Sequence, residues 1–213
     1  MCKFYSAIVL RNGDLIHNPF TTSHEDLIEE NNIKDKGLDF FVKVEYSPKN
    51  DNLSDIKEYK LNVDENSVPE WFEEYRVDIE NKLYHIVENM IITTNQQMIC
   101  GRAIILTGDI IIQRLKHCLV YEMWGNSQVK EMRGNSQVNV MWDNSQVNVM
   151  RDNSQVNVMR ENSQVKEMRE NSQVNVMWDN SQVNVMRDNS QVKEMRENSQ
   201  VKEMWGNSKK PEK

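Results

Sequence analysis

From Met123 to Gly206 the chain is one nine-residue unit repeated without a slip, and that period limits the folds open to it more than any other feature. The unit reads Met, Trp or Arg, then Gly, Asp or Glu, then Asn-Ser-Gln-Val, then Asn or Lys, then Val or Glu. Met stands at 123, 132, 141, 150, 159, 168, 177, 186, 195 and 204, and Val follows each of the first nine six places later. A helix does not accommodate this. At about 3.6 residues per turn, nine residues make two and a half turns, so successive Met side chains would point to opposite faces. No apolar stripe would form. Asn, Ser, Gly and Val are also weak helix formers. A parallel β-solenoid does accommodate it, because each unit supplies a short strand and a tight turn, and like positions stack.

Strand alternation puts Val inward, with Gln before it and Asn or Lys after it outward. Ser, two before Val, also turns inward. Met lies three after Val, which breaks parity and predicts a bend between them. The Asn before Ser suits a corner, since Asn tolerates left-handed backbone. Coil length follows from the variable positions. Units two apart give one column of Lys130-Glu131, Asn148-Val149, Lys166-Glu167, Asn184-Val185 and Lys202-Glu203. The other column is Asn139-Val140, Asn157-Val158, Asn175-Val176 and Lys193-Glu194. One face alternates and the other is nearly uniform, an order that a 27-residue coil would destroy. The expectation is two units per coil, about 18 residues, in a flattened roll of two parallel sheets stacked at ~4.8 Å. Tandem duplication could create the same order. A polar tract of this composition can also be disordered, but unbroken Met and Val ladders argue against that.

The N-terminal part reads as a separate α+β domain. Phe4 to Leu10 is a strand, Asn12-Gly13 a hairpin turn and Leu15-Ile16-His17 the return. Ser23 caps a short helix with Leu27 and Ile28 inward, ended by Asn31-Asn32. Phe40, Val42, Val44 and Tyr46 share one face of a strand, and Tyr59, Leu61 and Val63 share a face of another, paired antiparallel to it. Ser67 and Pro69 start an amphipathic helix that buries Phe72, Tyr75, Ile79, Leu83, Ile86 and Met90 and ends near Ile92. From Met98 apolar runs recur at nearly nine-residue spacing, as degenerate, more hydrophobic coils. The expected organisation is an α+β domain at 1–97, then a parallel β-solenoid at 98–208, resembling a β-roll, then a charged tail at 209–213.

Net charge is −7, yet the repeats hold six Arg and four Lys against four Asp and seven Glu, a net of −1. The acid lies in the N-terminal part. No basic patch is present, which argues against direct nucleic-acid binding, and the near-neutral repeats argue against mimicry of DNA. No apolar run is long enough to cross a membrane. An odd count of three Cys without a signal peptide predicts a reducing, cytoplasmic setting. Cys100 and Cys118, 18 apart, are expected to stack as reduced thiols where later coils carry Ser.

Candidate chemistry is sparse. His17, His24, Glu25 and Asp26 could form an acid–base or metal site in one loop, but their spacing fits no metal motif, and helix capping explains Ser23, Glu25 and Asp26. Calcium-binding β-rolls share the nine-residue period but need paired Gly and Asp that these units lack. No cofactor is expected. The candidate binding residues lie on the uniform face, Asn139, Val140, Asn157, Val158, Asn175 and Val176, with the outward Trp124, Trp142 and Trp178. A row of exposed Val is a mild apolar stripe, and exposed Trp often marks an interface. Flat Trp and Arg groups that merely cover a sheet surface would look the same.

The opening Cys-Lys-Phe-Tyr-Ser-Ala-Ile-Val, the Thr22-Ser23-His24-Glu25-Asp26-Leu27-Ile28 segment and the Pro69-Glu70-Trp71-Phe72 helix start resemble proteins of bacteriophages and bacteria that run into tandem Met-x-x-Asn-Ser-x-Val units. The resemblance brings no established activity. It implies a phage or mobile-element setting, in which small acidic proteins often bind and inhibit host factors. The functional expectation is a non-enzymatic interaction or scaffold protein that holds a protein partner or self-associates. The alternative is an enzyme or ligand-binding domain with its site between His17 and Asp26.

Overall fold

The computed structural model describes residues 4–34 and 40–211, which fall into two compact units, Met1–Met90 and Ile91–Lys213. In the first unit, β1 (Ser6–Leu10) and β2 (Leu15–Ile16) form the hairpin that Asn12-Gly13 predicts. Gly13 has φ +82°, and a Cβ there would lie 2.6 Å from the Tyr75 ring, so the turn requires glycine on both counts. α1 (His24–Glu30) begins after Ser23, whose hydroxyl oxygen accepts from the Asp26 N–H at 3.1 Å. β3 (Phe41–Pro48) pairs antiparallel with β1 and with β4 (Tyr59–Val63), giving the order β2-β1-β3-β4.

The helix expected from Ser67 to Ile92 is two helices, α2 (Glu70–Glu73) and α3 (Arg76–Glu88), and Pro69 rather than Ser67 precedes the first. At the break the Tyr75 N–H donates to Phe72 O, three residues back, and the Tyr75 ring crowds Gly13. Phe72, Ile79, Leu83, Val87 and Met90 are buried, so Val87 takes the place expected for Ile86. β3 is buried on both faces. Phe40 is exposed, while Phe41 packs with Ile8 and the α1 residue Leu27 on one side. Tyr46 lies near Glu80 and Tyr84 of α3, its phenol pushed up to about 12 by burial first and then by those two groups. A strand between two helical layers cannot alternate, which is why the one-face reading of 40–46 fails.

The second unit is the solenoid. Its strands are β5 (Ile91–Ile92), β6 (Gln96–Cys100), β7 (Ala103–Leu106), β8 (Ile111–Lys116), β9 (Leu119–Met123), β10 (Gln128–Arg133) and β11 (Gln137–Met141). They continue as β12 (Gln146–Met150), β13 (Gln155–Met159), β14 (Gln164–Met168), β15 (Gln173–Met177), β16 (Gln182–Met186), β17 (Gln191–Met195) and β18 (Gln200–Met204). Even-numbered strands from β6 form one parallel sheet and odd-numbered strands from β5 the other. Val129 pairs with Val147 and Met141 with Met159, the 18-residue coil read from the repeat. From β10 to β16 each repeat strand buries its Val and its Met with two outward residues between them, as the broken parity requires; the last two strands keep the order but are less covered. Each fully buried Val or Met contributes roughly 1.5–3 kcal/mol. Ser127 through Ser190 complete the inward set.

Three expectations change. The first coils are shorter, with Gln96 opposite Ile112 and Ile111 opposite Gln128. The solenoid also starts earlier than residue 98, because Ile91–Ile92 pair with Ile105–Leu106, two residues too few to show a pattern in sequence. The shortening separates the thiols. Cys100 is exposed opposite Lys116, and Cys118 is buried with its N–H on Ser136 Oγ.

The third change is at the corners. The left-handed residue is the one before Asn: Gly125, Gly134, Asp143, Asp152, Glu161, Glu170, Asp179, Asp188, Glu197 and Gly206 have φ between 54° and 69°. A non-glycine there costs roughly 1 kcal/mol. The carboxylate offsets it by accepting from the backbone N–H at the same position one coil earlier. Asp143 Oδ2 takes the Gly125 N–H at 2.8 Å, Glu161 that of Asp143 at 2.9 Å, and Asp179 that of Glu161 at 2.9 Å. The Asn side chains instead run amide ladders, such as Asn153 Nδ2 to Asn135 Oδ1 at 3.4 Å.

Candidate docking face

The residue after each Met lies at a corner, and an 18-residue coil stacks these residues in two columns. One column is Trp124, Trp142, Arg160, Trp178 and Arg196. The Trp124 and Trp142 rings stack at 5.1 Å and 13°. Arg160 then lies 5.2 Å from the Trp142 ring and 5.6 Å from the Trp178 ring, and Arg196 lies 4.1 Å from Trp178. Flat groups fill the 4.8 Å step between strands, and guanidinium over indole adds cation–π attraction of about 0.5–2 kcal/mol.

The other column is Arg133, Arg151, Arg169, Arg187 and Trp205. Here the alternation of Lys-Glu with Asn-Val acquires a reason. Glu131 meets Arg114, Arg133 and Arg151 at 3.0, 2.8 and 3.1 Å. Glu167 meets Arg169 and Arg187 at 2.8 and 2.7 Å. One glutamate every second coil serves the whole row. The Arg133 hydrogen bond holds the Glu131 carboxyl below its ordinary value, and the Arg169 hydrogen bond does so for Glu167.

The first column has the ion-pairing glutamate, two residues before each member, only at its ends. Two residues before each of its members stand Glu122, Val140, Val158, Val176 and Glu194. Trp124 Nε1 donates to Glu122 at 2.7 Å, and Arg196 pairs with Glu194. Arg160 falls in the middle, beside Val158. Of the six repeat arginines it alone makes no ion pair among the described residues. Its two faces are covered by indoles and its N–H groups have no carboxylate.

The candidate residues on the uniform face therefore form a single strip. Asn157 Nδ2 donates to Asn139 Oδ1 at 3.1 Å and Asn175 Nδ2 to Asn157 Oδ1 at 3.0 Å, so the Asn column is tied along the axis. Val140, Val158 and Val176 are in register, half-buried, next to Trp142, Arg160 and Trp178. Trp124, Trp142 and Trp178 are half-buried rather than fully exposed, because they stack. Arg160 was not singled out in the sequence reading. The signal for it was present in the Val column, which puts Val158, not glutamate, two residues before Arg160.

The loop residues go to different partners. Tyr5 Oη and His17 Nδ1 are 2.8 Å apart, and burial pushes the His17 imidazole down. Glu25 is exposed, 3.8 Å from Lys43 Nζ; its own backbone N–H, first, holds its carboxyl below the ordinary value. Asp26 accepts from Thr21 Oγ1 at 3.0 Å. His24 is fully buried. Its Nε2 is 2.9 Å from Val44 O and its Nδ1 is 3.4 Å from Asp64. His24 groups with Glu45 and Asp64, two residues that sequence spacing gave no reason to join to it. One imidazole nitrogen and two carboxylates within 4.8 Å could hold a divalent ion. His24 and Glu45 have further partners, and Asp64 is half in solvent, so the cluster also reads as a polar staple between α1 and the sheet.

No helix among the described residues is long and apolar enough to cross a membrane. A scan against family models finds no match, and comparison with curated proteins and with solved structures finds no significant match.

Proposed function

We propose that the protein is a non-enzymatic interaction protein whose solenoid holds a partner on the strip of Val140, Val158 and Val176 with Trp142, Arg160 and Trp178. The observation that carries this is Arg160. Every other repeat arginine pairs with a glutamate, whereas Arg160, among the described residues, lies between two indoles without an ion pair. A partner fits if it brings a carboxylate flanked by apolar side chains, so the occupant is an acidic, apolar protein segment. Arg between aromatic groups is a common anchor at interfaces. The resemblance to phage and bacterial proteins supports a cytoplasmic host factor as the source of that segment.

The test uses immobilised full-length chain and a panel of peptides with one Asp or Glu between Leu, Phe or Trp residues, each with a Lys-for-acid control. The acidic peptides should bind in preference to their controls. Arg160→Gln, or Val140, Val158 and Val176 changed together to Glu, should each lose at least about tenfold in affinity. Arg187→Gln, on the opposite column, should lose nothing. Equal binding of acidic and Lys peptides, or an unaffected Arg160→Gln variant, would overturn the reading. Self-association through the strip would appear as a change in sedimentation on changing the three Val, without peptide preference.

A further inference from the structure

The last coil ends the two sheets differently. Over β17, the chain continues as a partial next coil. Gln191 bridges Lys209, the Val192 N–H donates to Lys209 O at 2.9 Å, and the Lys209 N–H donates to Ser190 O at 3.0 Å. Counting eighteen residues on, Lys210 takes the place of core Val192, and Pro211 follows with no N–H to donate. A charge at a core position and a proline close that edge. Among the described residues, β18 has no such cover. It is the outer strand of its sheet, and Met204 is 37% exposed where Met123 through Met186 are fully buried. Val201 is only partly buried. An apolar, unpaired strand edge is a template for another strand.

The burial pattern decides which strand fits. From Val201 to Met204 the order is in, out, out, in, which reads the same backwards. Antiparallel pairing about the point between Lys202 and Glu203 sets Val201 against Met204 of a second copy, both inward. It also sets Lys202 against Glu203 of that copy, both outward. The two-fold axis makes each pair twice. A shift of one residue opposes Val201 to an outward glutamate, and parallel in-register pairing opposes lysine to lysine and glutamate to glutamate. The units with Asn-Val at these positions have the same palindrome but no charge complementarity. Lys-Glu occupies both final strands, although the column of β17 carries Asn-Val in the three preceding repeat coils.

We infer that β18 is a self-association edge, joining two copies of this chain antiparallel across a two-fold axis at the C-terminal end of the solenoid. It uses the end of the array and does not rest on the lateral strip.

The experiment is sedimentation equilibrium of the full chain across a concentration series, with four variants at outward positions that leave the core untouched. The wild type should form a concentration-dependent dimer. Lys202→Glu and Glu203→Lys each create two like-charge pairs and should weaken the dimer at least about tenfold. The double swap of Lys202→Glu with Glu203→Lys recreates both opposite-charge pairs and should restore it. The variant with Val140, Val158 and Val176 changed to Glu should dimerise as the wild type does, which separates this surface from the strip. A monomeric wild type at every concentration, single variants that dimerise unchanged, or a swap that fails to restore the dimer would overturn the inference.

Discussion

The carboxylate of Glu161 accepts a hydrogen bond from the backbone N–H of Asp143, 2.9 Å away and eighteen residues earlier. Both residues are left-handed, so each corner joins an unfavourable backbone to a bond that only an acceptor side chain can make. This explains why one position of the repeat accepts Gly, Asp and Glu. Glycine removes the strain and the acids offset it.

That account predicts an order of stability. Glu161→Gly loses a charge-assisted bond but also loses the left-handed cost; both are about 1 kcal/mol at an exposed corner, so melting should barely move. Glu161→Ala loses the bond and keeps the strain, and should melt several degrees lower than the glycine variant. Equal melting of the alanine and glycine variants would show that the carboxylate contributes nothing.

Acid should act through the arginine column. The folded pKa values of Glu131 and Glu167 are lowered by Arg133 and Arg169 first, so their contribution is present above the unfolded value of about 4.5 and is lost as pH falls through the folded one. Glu161 has the opposite sign. Its pKa is raised, by desolvation first and then by Asp143 and Asp179, so its contribution is present below the unfolded value and fades as pH rises through the folded one. Changing Glu131 and Glu167 together to Gln should therefore flatten the fall in melting temperature between about pH 6 and pH 3.5. Glu161→Gln should steepen it. Calorimetry at the two pH values checks both slopes.

The core predicts a contrast between neighbouring inward positions. Val156→Asp places an unpaired carboxylate in a narrow apolar core, at a cost of several kcal/mol. Gln155→Asp, facing out, should cost much less. Ser154 is also fully buried, but its hydroxyl makes no hydrogen bond, so Ser154→Ala should be neutral or slightly stabilising. A large loss for Ser154→Ala would mean that the serine ladder is bonded after all.

How far these features were visible in the sequence depends on the number of units that carry them. Ten copies average out local accident, so the coil length and the inward set of Val, Met and Ser could be read from the repeat alone. The corner was misassigned by one residue because Asn, the residue most associated with left-handed backbone, stands beside the true position, and Glu161 or Glu170 is an unusual occupant of it. The first unit offers single copies. There β4, the Ser23 cap and the hairpin carried local signals, whereas the break at Tyr75 and the meeting of His24 with Glu45 and Asp64 depend on contacts between segments far apart in the chain. Arg160 lies between these cases. Its column was evident from the period, but the want of a glutamate two residues before it shows only when both columns are set side by side.

The central claim is that two units make one coil, so that position n stacks on n + 18. The most direct measurement is disulfide formation between paired outward cysteines in a chain whose Cys2 and Cys100 are replaced by Ser. Asn139→Cys with Asn157→Cys lies on neighbouring strands of one sheet, at about the 4.8 Å strand spacing, within disulfide reach. Asn139→Cys with Asn148→Cys places the thiols on opposite sheets, facing away from each other. Mild oxidation at low protein concentration, followed by mass spectrometry, should find the intramolecular bridge in the first pair and none in the second. A bridge in the second pair, or none in the first, would contradict the two-unit coil and the surfaces built on it.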